Sequence, residues 1–535
     1  MDNVTMAIRF FVLALFLSGI TPNVYAQLGQ NLLIGNAKAI SLGNAVTADP
    51  PGIDSIHFNP AGLTRLKGRQ SHLKFIVGDI SVVGEFTSNE EYDALLAKYN
   101  FIDPMANTTS EVKNFALYLP GLGVTEVPVV AAPLGGMSYN PPGSDITFAT
   151  AAYAPLMLGF TREEDDTGRF YGTNMGLSRI TFLSPSIGWK VNDELSLGAS
   201  IGLSYFGVGL SLDYRAPNIL VGALKAATDD VCLGADNGFV FEGVPVDICG
   251  GEISPFERMF TLEVELEKTV SATFNIGLLW EPTEWFTFGF VYQSESNDTL
   301  EGDIAVILDQ QVVGLFQGLA DSNATLKQVV DALDVTKNGG VIETSGSINI
   351  VLPQHIAAGI SLQLTPKIKV NVDFKWTETS VWQEFNFKTD ESIPLLAVLQ
   401  PFVEGVEADA IVIPRGYEDA SNWAFGIEYQ YSDNTAYRMG YEPRNSGIPD
   451  DKLDFIIPMG DFDLYSIGLS YRMTDSSVFD IAFAYGISDQ YIPAGSSTNG
   501  NNNRGDNFVY NPSAGLDVRS TIEFSILEMS YSSPF

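Results

Sequence analysis

One short stretch of the sequence has the residue types and the spacing of a catalytic nucleophile. Residues 198–202, Gly-Ala-Ser-Ile-Gly, match the Gly-x-Ser-x-Gly pattern in which a serine attacks a carbonyl carbon. That chemistry needs a helix directly after the serine and a histidine as general base. Ser200 instead lies in an alternating run, LSLGASIGLSYFGVGLSL, that continues as a strand pattern. The histidines, His57, His72 and His355, are scattered and form no metal-ligand pattern. We therefore expect no enzyme, no metal site and no cofactor.

The first 26 residues have the organisation of a secretory signal peptide. Arg9 supplies the positive charge, and residues 10–20 form the apolar stretch. Small residues at Val24 and Ala26 precede a cleavage site at Gln27. Beyond this segment no apolar run approaches the roughly 18 residues that a transmembrane helix needs. We therefore predict an exported protein that does not cross a membrane with helices.

The two cysteines, Cys232 and Cys249, are a second candidate for chemistry. They lie in a Gly- and Asp-rich stretch, and in an exported protein the default is one disulfide. On the chain-entropy model such a bond would stabilise the protein by roughly 3 kcal/mol. A pair of unlinked buried thiols is the alternative.

The composition excludes some classes of partner. A net charge of -36 argues against binding nucleic acid, or an anionic membrane surface, through a basic patch. With 45% hydrophobic and only 18% charged residues, and a mean hydropathy of +0.10, the chain is apolar for a soluble protein of this size. Something other than a single dry core must therefore accommodate the apolar residues.

Alternating polar and apolar residues indicate β-strands along most of the chain. In residues 367–376, KIKVNVDFKW, one face is apolar and the other is polar. Seven long polar stretches alternate with short turns, and if each long stretch joins two strands the chain has about 14 strands. Short turns at one end and long loops at the other are typical of an outer-membrane barrel. We predict an all-β fold, a transmembrane antiparallel β-barrel with partly helical extracellular loops. The six short turns are predicted at 139–145, 190–194, 281–284, 364–367, 431–434 and 472–477.

The C-terminus has a further mark of this class. The chain ends on Phe535, and Leu527, Met529 and Tyr531 share its face if the last segment is a strand. A terminal aromatic residue on an amphipathic last strand resembles the assembly signal of bacterial outer-membrane barrels, and implies the barrel assembly machinery as a partner. Apolar residues on the opposite phase, within 522–526, predict a bulge near Leu527.

Five stretches carry a family resemblance, in this order along the chain: AKAISLGNAVTADPPGIDSIHFNPAGL, YAPLMLGF, LPQHIAAGISLQLTPKIKVNVDFKWTETSVWQEF, GYEDASNWAFGIEYQYSDNTAYRMGYEPRNSGIPDD and DLYSIGLSYRM. They resemble the FadL/TodX family of outer-membrane transporters for long-chain fatty acids and other hydrophobic compounds. From the first to the last they span most of the mature chain, in the order of the family. One departure is Phe462, where the family usually has an arginine after the aspartate, so a role of that arginine does not carry over to this chain.

The resemblance implies that the N-terminal segment folds inside the barrel as a hatch. We therefore predict a signal peptide at 1–26, a hatch at 27–70 and the barrel at 71–535. The conserved turn of the hatch would be Asn59, Pro60, Ala61 and Gly62. A fixed φ at the proline, a positive φ at the glycine and an asparagine that bonds its own backbone suit a compact turn. An ordinary surface loop before the first strand is the alternative.

The resemblance also implies a route for the substrate. Pro155, in the strand ITFATAAYAPLML, would with Tyr153 form the kink through which substrate leaves sideways into the membrane, because proline cannot donate to a strand ladder. The alternative is a proline tolerated at a strand end. Apolar, partly helical segments at 216–227 and 303–335 would form the external groove that first binds the substrate. Self-packing of these loops is the alternative.

The expected function is outer-membrane uptake of a long-chain fatty acid or similar hydrophobic molecule, with movement of the hatch as the switch. Lys375 and Arg438 are candidate partners of a substrate carboxylate, and pairing with acids such as Asp373 or Glu442 is the alternative. A general diffusion porin for small polar solutes is the alternative function. We expect a monomer in the outer membrane of a Gram-negative cell, in contact with membrane lipid and lipopolysaccharide. The kind of hydrophobic substrate stays open at this level.

Overall fold

The structure is a computed structural model that describes most of the chain after the N-terminus. The predicted signal peptide and the first residues of the predicted hatch lie outside the described residues. The described residues are 34–112, 114–127, 130–232, 239–241, 244–333, 335–393, 396–397, 400, 407–457, 460–474, 477–502 and 511–535.

In the described part of the chain, fourteen strands, β1 to β14, form one closed antiparallel barrel. Each strand pairs with its neighbours along the chain, and β14 pairs with β1 over the whole of its length, which closes the ring. The prediction of about 14 strands is confirmed. The bounds are β1 Gly68–Thr87; β2 Thr108–Val112 and Val130–Asn140; β3 Ile146–Thr161; β4 Asn174–Leu183 and Ser186–Lys190; β5 Leu195–Tyr214; β6 Phe260–Thr283; β7 Phe286–Gln293 and Ser296–Leu308; β8 Val341–Leu352 and His355–Thr365; β9 Ile368–Thr377 and Glu384–Thr389; β10 Ala410–Pro414 and Ala420–Ser432; β11 Thr435–Arg444; β12 Phe462–Arg472; β13 Val478–Ile492; and β14 Asp517–Pro534.

The connections are short at one end of the barrel and long at the other, as predicted. Each of the six predicted short turns joins two neighbouring strands. The long connections carry helices, and none of the helices in the described residues is long and apolar enough to cross a membrane. The α-helices are α1 Ala37–Ser41, α2 Ser55–Phe58, α3 Glu90–Tyr99, α4 Ile219–Cys232, α5 Gln310–Ser322 and α6 Ala324–Ala332, and 3-10 helices span Gly52–Asp54, Pro60–Arg65, Thr167–Tyr171, Lys337–Gly340, Thr379–Val381 and Asp450–Lys452.

The two faces of the wall differ in polarity. Outward side chains such as Phe274, Ile276 and Trp280 are apolar and exposed, whereas inward side chains such as Asp373 and Glu442 are charged and buried. In lipid every backbone polar group needs a partner, and a closed ladder of strands supplies one. The wall therefore presents an apolar belt outside and a polar surface to the N-terminal part of the chain inside.

The predicted bulge near Leu527 is wrong. Strand β14 keeps an unbroken register with both β1 and β13. Ile522 and Ile526 are buried on the inward phase, in the apolar core that fills the barrel toward its long-loop end. The strand is apolar on both faces there because one face meets lipid and the other meets this core, so no shift in phase is needed.

Strand β2 is interrupted by a hairpin. Its two halves both pair with β1, and between them the chain forms the segments Asn114–Leu119 and Gly123–Val127, which pair with each other. We call these two segments the outer hairpin. Apart from Asn114 and Phe115, which pair with Thr161 and Phe160 of β3, the hairpin leaves the ladder of the wall, and it contacts β3, β4 and β5.

Candidate functional site

The N-terminal segment, residues 34–66, contacts inward residues on opposite sides of the ring. Lys74 on β1 donates from Nζ to the carbonyl oxygen of Ile34 at 2.8 Å. Ser200 on β5 donates to the carbonyl oxygen of Ile56 at 2.9 Å. On the other side of the barrel, the hydroxyl of Ser466 on β12 accepts from the segment. The segment is almost wholly buried and lies within the ring, and β1 follows it from Gly68.

The Asn-Pro-Ala-Gly turn joins two parts of this segment and also the wall. The side-chain oxygen of Asn59 accepts from the amide of Ala61 at 3.2 Å and so caps the 3-10 helix Pro60–Arg65. Its side-chain nitrogen donates to the carbonyl oxygens of Thr47 at 2.8 Å and Leu278, on β6, at 3.1 Å. One buried side chain thus satisfies three backbone groups.

Gly62 has a different role from the one that the sequence suggested. It lies within the 3-10 helix and not among the glycines with positive φ. A Cβ at this position would lie 2.7 Å from the hydroxyl of Ser55 and would overlap Pro50. The glycine is therefore needed for a close approach of two parts of the segment and not for an unusual φ.

The Gly-x-Ser-x-Gly stretch is part of this contact. A Cβ on Gly198 would overlap the backbone of Pro60 and Ala61, and Ser200 bonds the segment as described. The stretch lies wholly within strand β5, with no helix after the serine. The serine and the glycine are thus explained by a tightly packed N-terminal segment. Other inward glycines of the wall that contact the segment are Gly136, Gly188, Gly277, Gly289, Gly359, Gly426, Gly440 and Gly468.

A cluster of charges holds the part of the segment nearest the short-turn end of the barrel, which we call the lower end. Asp49 accepts from Lys369 on β9 at 2.6 Å and from Lys38 at 2.9 Å, and it pairs with Arg65 at 3.3 Å. Burial alone would raise the pKa of the Asp49 carboxyl. The three cations outweigh burial and hold this pKa well below its usual value. Asp49 therefore stays ionised, and its charge links the segment to the wall.

A second charged contact joins the segment to β1. Asp54 accepts from Nζ of Lys74 and from Nδ2 of Asn36, at 2.8 and 2.7 Å. Burial would raise the pKa of Asp54, but Lys74 and His72 lower it below its usual value. The neighbouring His57 is buried, and loss of water lowers its pKa to about 3. Its ring lies 5.2 Å from that of Tyr153 on β3.

The two cations predicted as partners of a substrate carboxylate both have carboxylate partners already. Lys375 donates to Glu442 at 2.6 Å, and Glu442 also accepts from Asn422 at 2.7 Å and pairs with Arg444 at 2.9 Å. Arg438 pairs with two acids other than those named from the sequence, Glu428 and Asp480, each at 2.7 Å. A substrate carboxylate would have to compete with these acids.

Arg179 is a cation that sequence reasoning missed. It lies on the inward face of β4 and is buried, and it donates to Ser296 at 2.6 Å and approaches Asp298 at 3.4 Å. Among the described residues its Nη2 has no hydrogen-bond partner. Its position within the strand pattern GLSRITFL, where the other residues are uncharged, was the available signal.

The ladder between β2 and β3 has a gap. Residues 148–152 of β3 pair with the second half of β2, and residues 160–161 pair with the outer hairpin. Within the described residues, 153–159 of β3 have no partner on that side, and their pairing with β4 shifts register between Tyr153 and Leu156. Pro155 lies at this shift, where a missing N–H costs nothing. Arg179 is paired with Leu156 across the ladder.

The long loops predicted to catch the substrate are partly helical and contact each other. Helix α4 ends at Cys232, which forms a disulfide with Cys249. Residues 250–251 then lie against helix α5, so closely that a Cβ on either glycine would overlap the backbone of that helix. Exposed apolar side chains on these loops include Leu224 and Val329. Phe535 is exposed beyond the end of β14.

Comparisons with known proteins agree with this architecture. A model of the family described as outer membrane protein transport protein (OMPP1/FadL/TodX) matches residues 15–535. A long-chain fatty acid transport protein of Escherichia coli O6:H1 is 22% identical over 246 residues, 46% of this chain and 48% of the relative. A 47 kDa outer membrane protein of Pasteurella multocida is 22% identical over 211 residues, 39% of this chain and 42% of the relative. The chain thus spans about half the length of the curated relatives it matches.

Solved structures share the fold. The crystal structure of a Pseudomonas aeruginosa FadL homologue has a TM-score of 0.63 and 17% identity, and the match covers 96% of this chain and 100% of that one. The toluene transporter TbuX of Ralstonia pickettii has a TM-score of 0.56 and 15% identity, over 94% of this chain and 99% of that one. At these identities the likeness shows the barrel fold alone.

Proposed function

Because the chain belongs to the OMPP1/FadL/TodX family of outer membrane transport proteins, we propose that it takes up long-chain fatty acids or similar hydrophobic molecules and releases them sideways into the membrane. The observation that carries this proposal is the stretch 153–159 of β3, which has no ladder partner on the β2 side among the described residues and lies beside a barrel interior filled by the N-terminal segment. An interior filled in this way leaves the wall as the route of exit.

The first step is capture at the long-loop end. Exposed apolar residues on α4 and α6, on loops that contact each other through residues 250–251, provide an apolar surface in a strongly acidic exterior. Burying apolar surface of a ligand contributes about 25 cal/mol per Å². The substrate then meets the apolar core of the upper barrel, which includes Phe206 and Leu266.

The second step is movement of the N-terminal segment, which acts as the hatch. His57, in that segment, contacts Tyr153 at the lower end of the gap. A shift of α2 would therefore move Tyr153 directly, at the end of the stretch of β3 that lacks a described partner on the β2 side. Because Pro155 and the register shift leave this part of the wall without a continuous ladder, opening it breaks few hydrogen bonds.

Recognition of a carboxylate falls to Arg179 in this proposal. Its Nη2 lacks a partner among the described residues, and the guanidinium lies one strand away from the gap. A bound carboxylate would satisfy this donor, and hydrogen bonds to charged groups contribute about 1.5–3 kcal/mol. This favours a fatty acid over an alkane or an arene.

The test is uptake by cells that lack their own transporter and express this protein. Radiolabelled oleate and hexadecane are supplied in parallel, and the Arg179→Gln variant is compared with Arg438→Gln, whose cation is already paired with two acids. We expect Arg179→Gln to lower oleate uptake by about tenfold, and hexadecane uptake much less, because it removes a charged hydrogen bond.

Two outcomes would overturn the proposal. Uptake of both compounds no faster than in cells without the protein would exclude hydrophobic transport. A large steady ion current through the purified protein in a planar bilayer would indicate a diffusion porin, since a barrel filled by its N-terminal segment should conduct little.

A further inference from the structure

The outer hairpin lies on the outward face of the wall. Gly198 and Ser200 of β5 contact the N-terminal segment and lie on one face of the strand. Gly207 and Gly209 lie on the opposite face. Strand β5 runs unbroken through both pairs. The ring of Tyr118, in the hairpin, contacts the positions where Gly207 and Gly209 would carry a Cβ. Since the first pair faces inward, the hairpin covers the outside.

The wall is shaped to receive the hairpin. A Cβ on Gly176 of β4 would lie 2.9 Å from the amide nitrogen of Tyr118, and a Cβ on Gly159 of β3 would overlap the carbonyl of Ala116. The hydroxyl of Ser178 accepts from the amide of Tyr118 at 3.1 Å. Across the ladders Gly159, Gly176 and Gly209 are opposite one another, so three strands each present a glycine to the hairpin. The hairpin is therefore closely packed against the wall, with no room for a side chain at these glycines.

The ring of Tyr205 on β5 marks the lower edge of the covered area. It stacks on Tyr118, with centroids 6.5 Å apart, and is 7% exposed. Ile201 lies on the same face of β5, four residues closer to the short-turn end, and is 52% exposed. Phe182, on the outward face of β4, is 50% exposed. The apolar belt of the wall therefore begins directly below the hairpin.

The polarity of the neighbouring strand β6 gives the level of the membrane surface. Opposite Ile201 lies Phe274, which is exposed and apolar. Opposite Gly209 lies Glu265, an exposed acid against which the hairpin residue Gly123 is placed. The outward face changes from apolar to acidic between these positions, so the hairpin lies just outside the lipid, in water.

The gap between β2 and β3 extends from the apolar belt to above the level of the membrane surface. Tyr153, at its lower end, is in the row of Thr181 and Ser204, beside the apolar belt. Met157, higher in the gap, is paired with Ser178 and is in the row of Gly207, under the hairpin. Met157 is 6% exposed. Without the hairpin, the upper half of the gap would open to water.

We propose that the outer hairpin seals the aqueous half of the gap between β2 and β3, so that the gap opens only toward the hydrocarbon of the outer leaflet. This inference rests on the proposed sideways release. If water reached the gap, an apolar molecule there would expose part of its surface to water again. It would lose about 25 cal/mol of transfer free energy for each Å² exposed. The seal gives the passage a single apolar outlet.

The first test measures access of water to Met157. The native cysteines form a disulfide and no free cysteine is present in the described residues, so a Met157→Cys variant carries one reporter thiol. It is reacted with a charged, membrane-impermeant methanethiosulfonate on intact cells. We expect slow labelling, and labelling about tenfold faster when Gly207→Val is added, because the valine displaces Tyr118 and opens the cover locally.

The control is Gly78→Val in the same reporter background. Gly78 is also a strand glycine, but the closest atom to a Cβ there is the carbonyl oxygen of Ser525 at 3.8 Å, so the hairpin is not disturbed. Tyr118→Ala provides a second way to loosen the hairpin without changing the wall. If Gly207→Val fails to assemble, which is detected as a loss of heat-dependent mobility on a gel, Tyr118→Ala still tests the seal.

The second test measures radiolabelled oleate uptake in the same variants without the reporter thiol. We expect Gly207→Val and Tyr118→Ala to lower uptake by about threefold through the loss of apolar shielding, with Gly78→Val unchanged. Fast labelling of Met157→Cys in the otherwise native protein, or uptake and labelling unaffected by both hairpin variants, would overturn the seal. Absence of uptake by the native protein would instead overturn the proposed function, and the labelling result would still decide whether the hairpin excludes water.

Discussion

The side-chain nitrogen of Asn59 donates to the carbonyl oxygen of Leu278 on strand β6, 219 positions away in the sequence, at 3.1 Å. The same amide donates to Thr47 and caps the turn that follows it. This asparagine connects the N-terminal segment to itself and to the wall, so its removal should act on both at once.

Replacing Asn59 by alanine should loosen the N-terminal segment without unfolding the barrel. The variant loses a helix cap and leaves buried backbone groups unpaired, which together cost about 1–3 kcal/mol. Hydrogen exchange of residues 34–66 is the measurement, and exchange there should become faster. Asn323→Ala is the matched control, because Asn323 caps helix α6 in an outer loop. Equal exchange in both variants would contradict a joining role for Asn59.

Replacing Gly277 by valine should displace the N-terminal segment from the inside of the wall. A Cβ there would lie 2.8 Å from Cδ of Pro60 and 3.0 Å from Cγ of Asn59. The barrel itself should still assemble, since valine is favoured in strands. Single-channel conductance in a planar bilayer should rise above that of the native protein and of Gly78→Val. Unchanged conductance would show that the segment does not obstruct the interior.

Acid should loosen the segment at His57. The folded-state pKa of about 3 lies below the ordinary value of 6.5 because burial disfavours the charged ring. The folded state therefore binds fewer protons than the unfolded one, and stability falls as the pH decreases from 6.5 toward 3. Asp54, Lys74 and Tyr153 face the ring, and His355 is coupled to it electrostatically.

The measurement for His57 is hydrogen exchange of residues 34–66 as a function of pH, corrected for intrinsic exchange. We expect His57→Phe, which keeps an aromatic ring against Tyr153, to flatten the dependence between pH 6.5 and pH 4. Asp49, held ionised by three cations, should contribute only below its ordinary value of 3.8. A native dependence retained in His57→Phe would assign the effect to another group.

Removing the disulfide should affect the outer loops alone. The double variant Cys232→Ser, Cys249→Ser loses the constraint on a loop with a sequence separation of 17, worth about 3 kcal/mol on the chain-entropy model. Limited proteolysis should then cleave between α4 and α5 earlier than in the native protein. The heat-dependent gel mobility of the barrel should not change, and oleate uptake at low concentration should fall. Reduction of the native protein should reproduce the effect.

The barrel could be predicted from the sequence because its signals are local. The alternation of KIKVNVDFKW and the composition of each short turn depend on residues close together in the chain, and they determine strand, turn and the number of strands. The disulfide partners followed in the same way, since the chain has only two cysteines. The Asn-Pro-Ala-Gly turn was identified by resemblance, and its fourth residue was assigned the wrong reason, a positive φ in place of a close contact.

The features that depend on position around the ring could not be predicted. Arg438 pairs with Glu428 on the neighbouring strand β10 and with Asp480 on β13, two strands away, and Arg179 approaches Asp298 on β7, which has no relation to it in local sequence. Gly198 and Gly207 both interrupt the same alternating run, yet one meets the N-terminal segment and the other meets the outer hairpin. Their spacing in the run places them on opposite faces of the strand, but nothing in the run says which segment each face contacts.

By itself the sequence determined that the chain is exported, forms about 14 antiparallel strands and closes into a barrel with long loops at one end. Only the tertiary structure decided which inward cations are already paired, where the ladder between β2 and β3 is open, and that the hairpin within β2 lies outside the wall. The physical reason is that a strand pattern repeats every two residues and carries no information about the far side of the ring. Those contacts are fixed only when the register of every ladder is set and β14 meets β1.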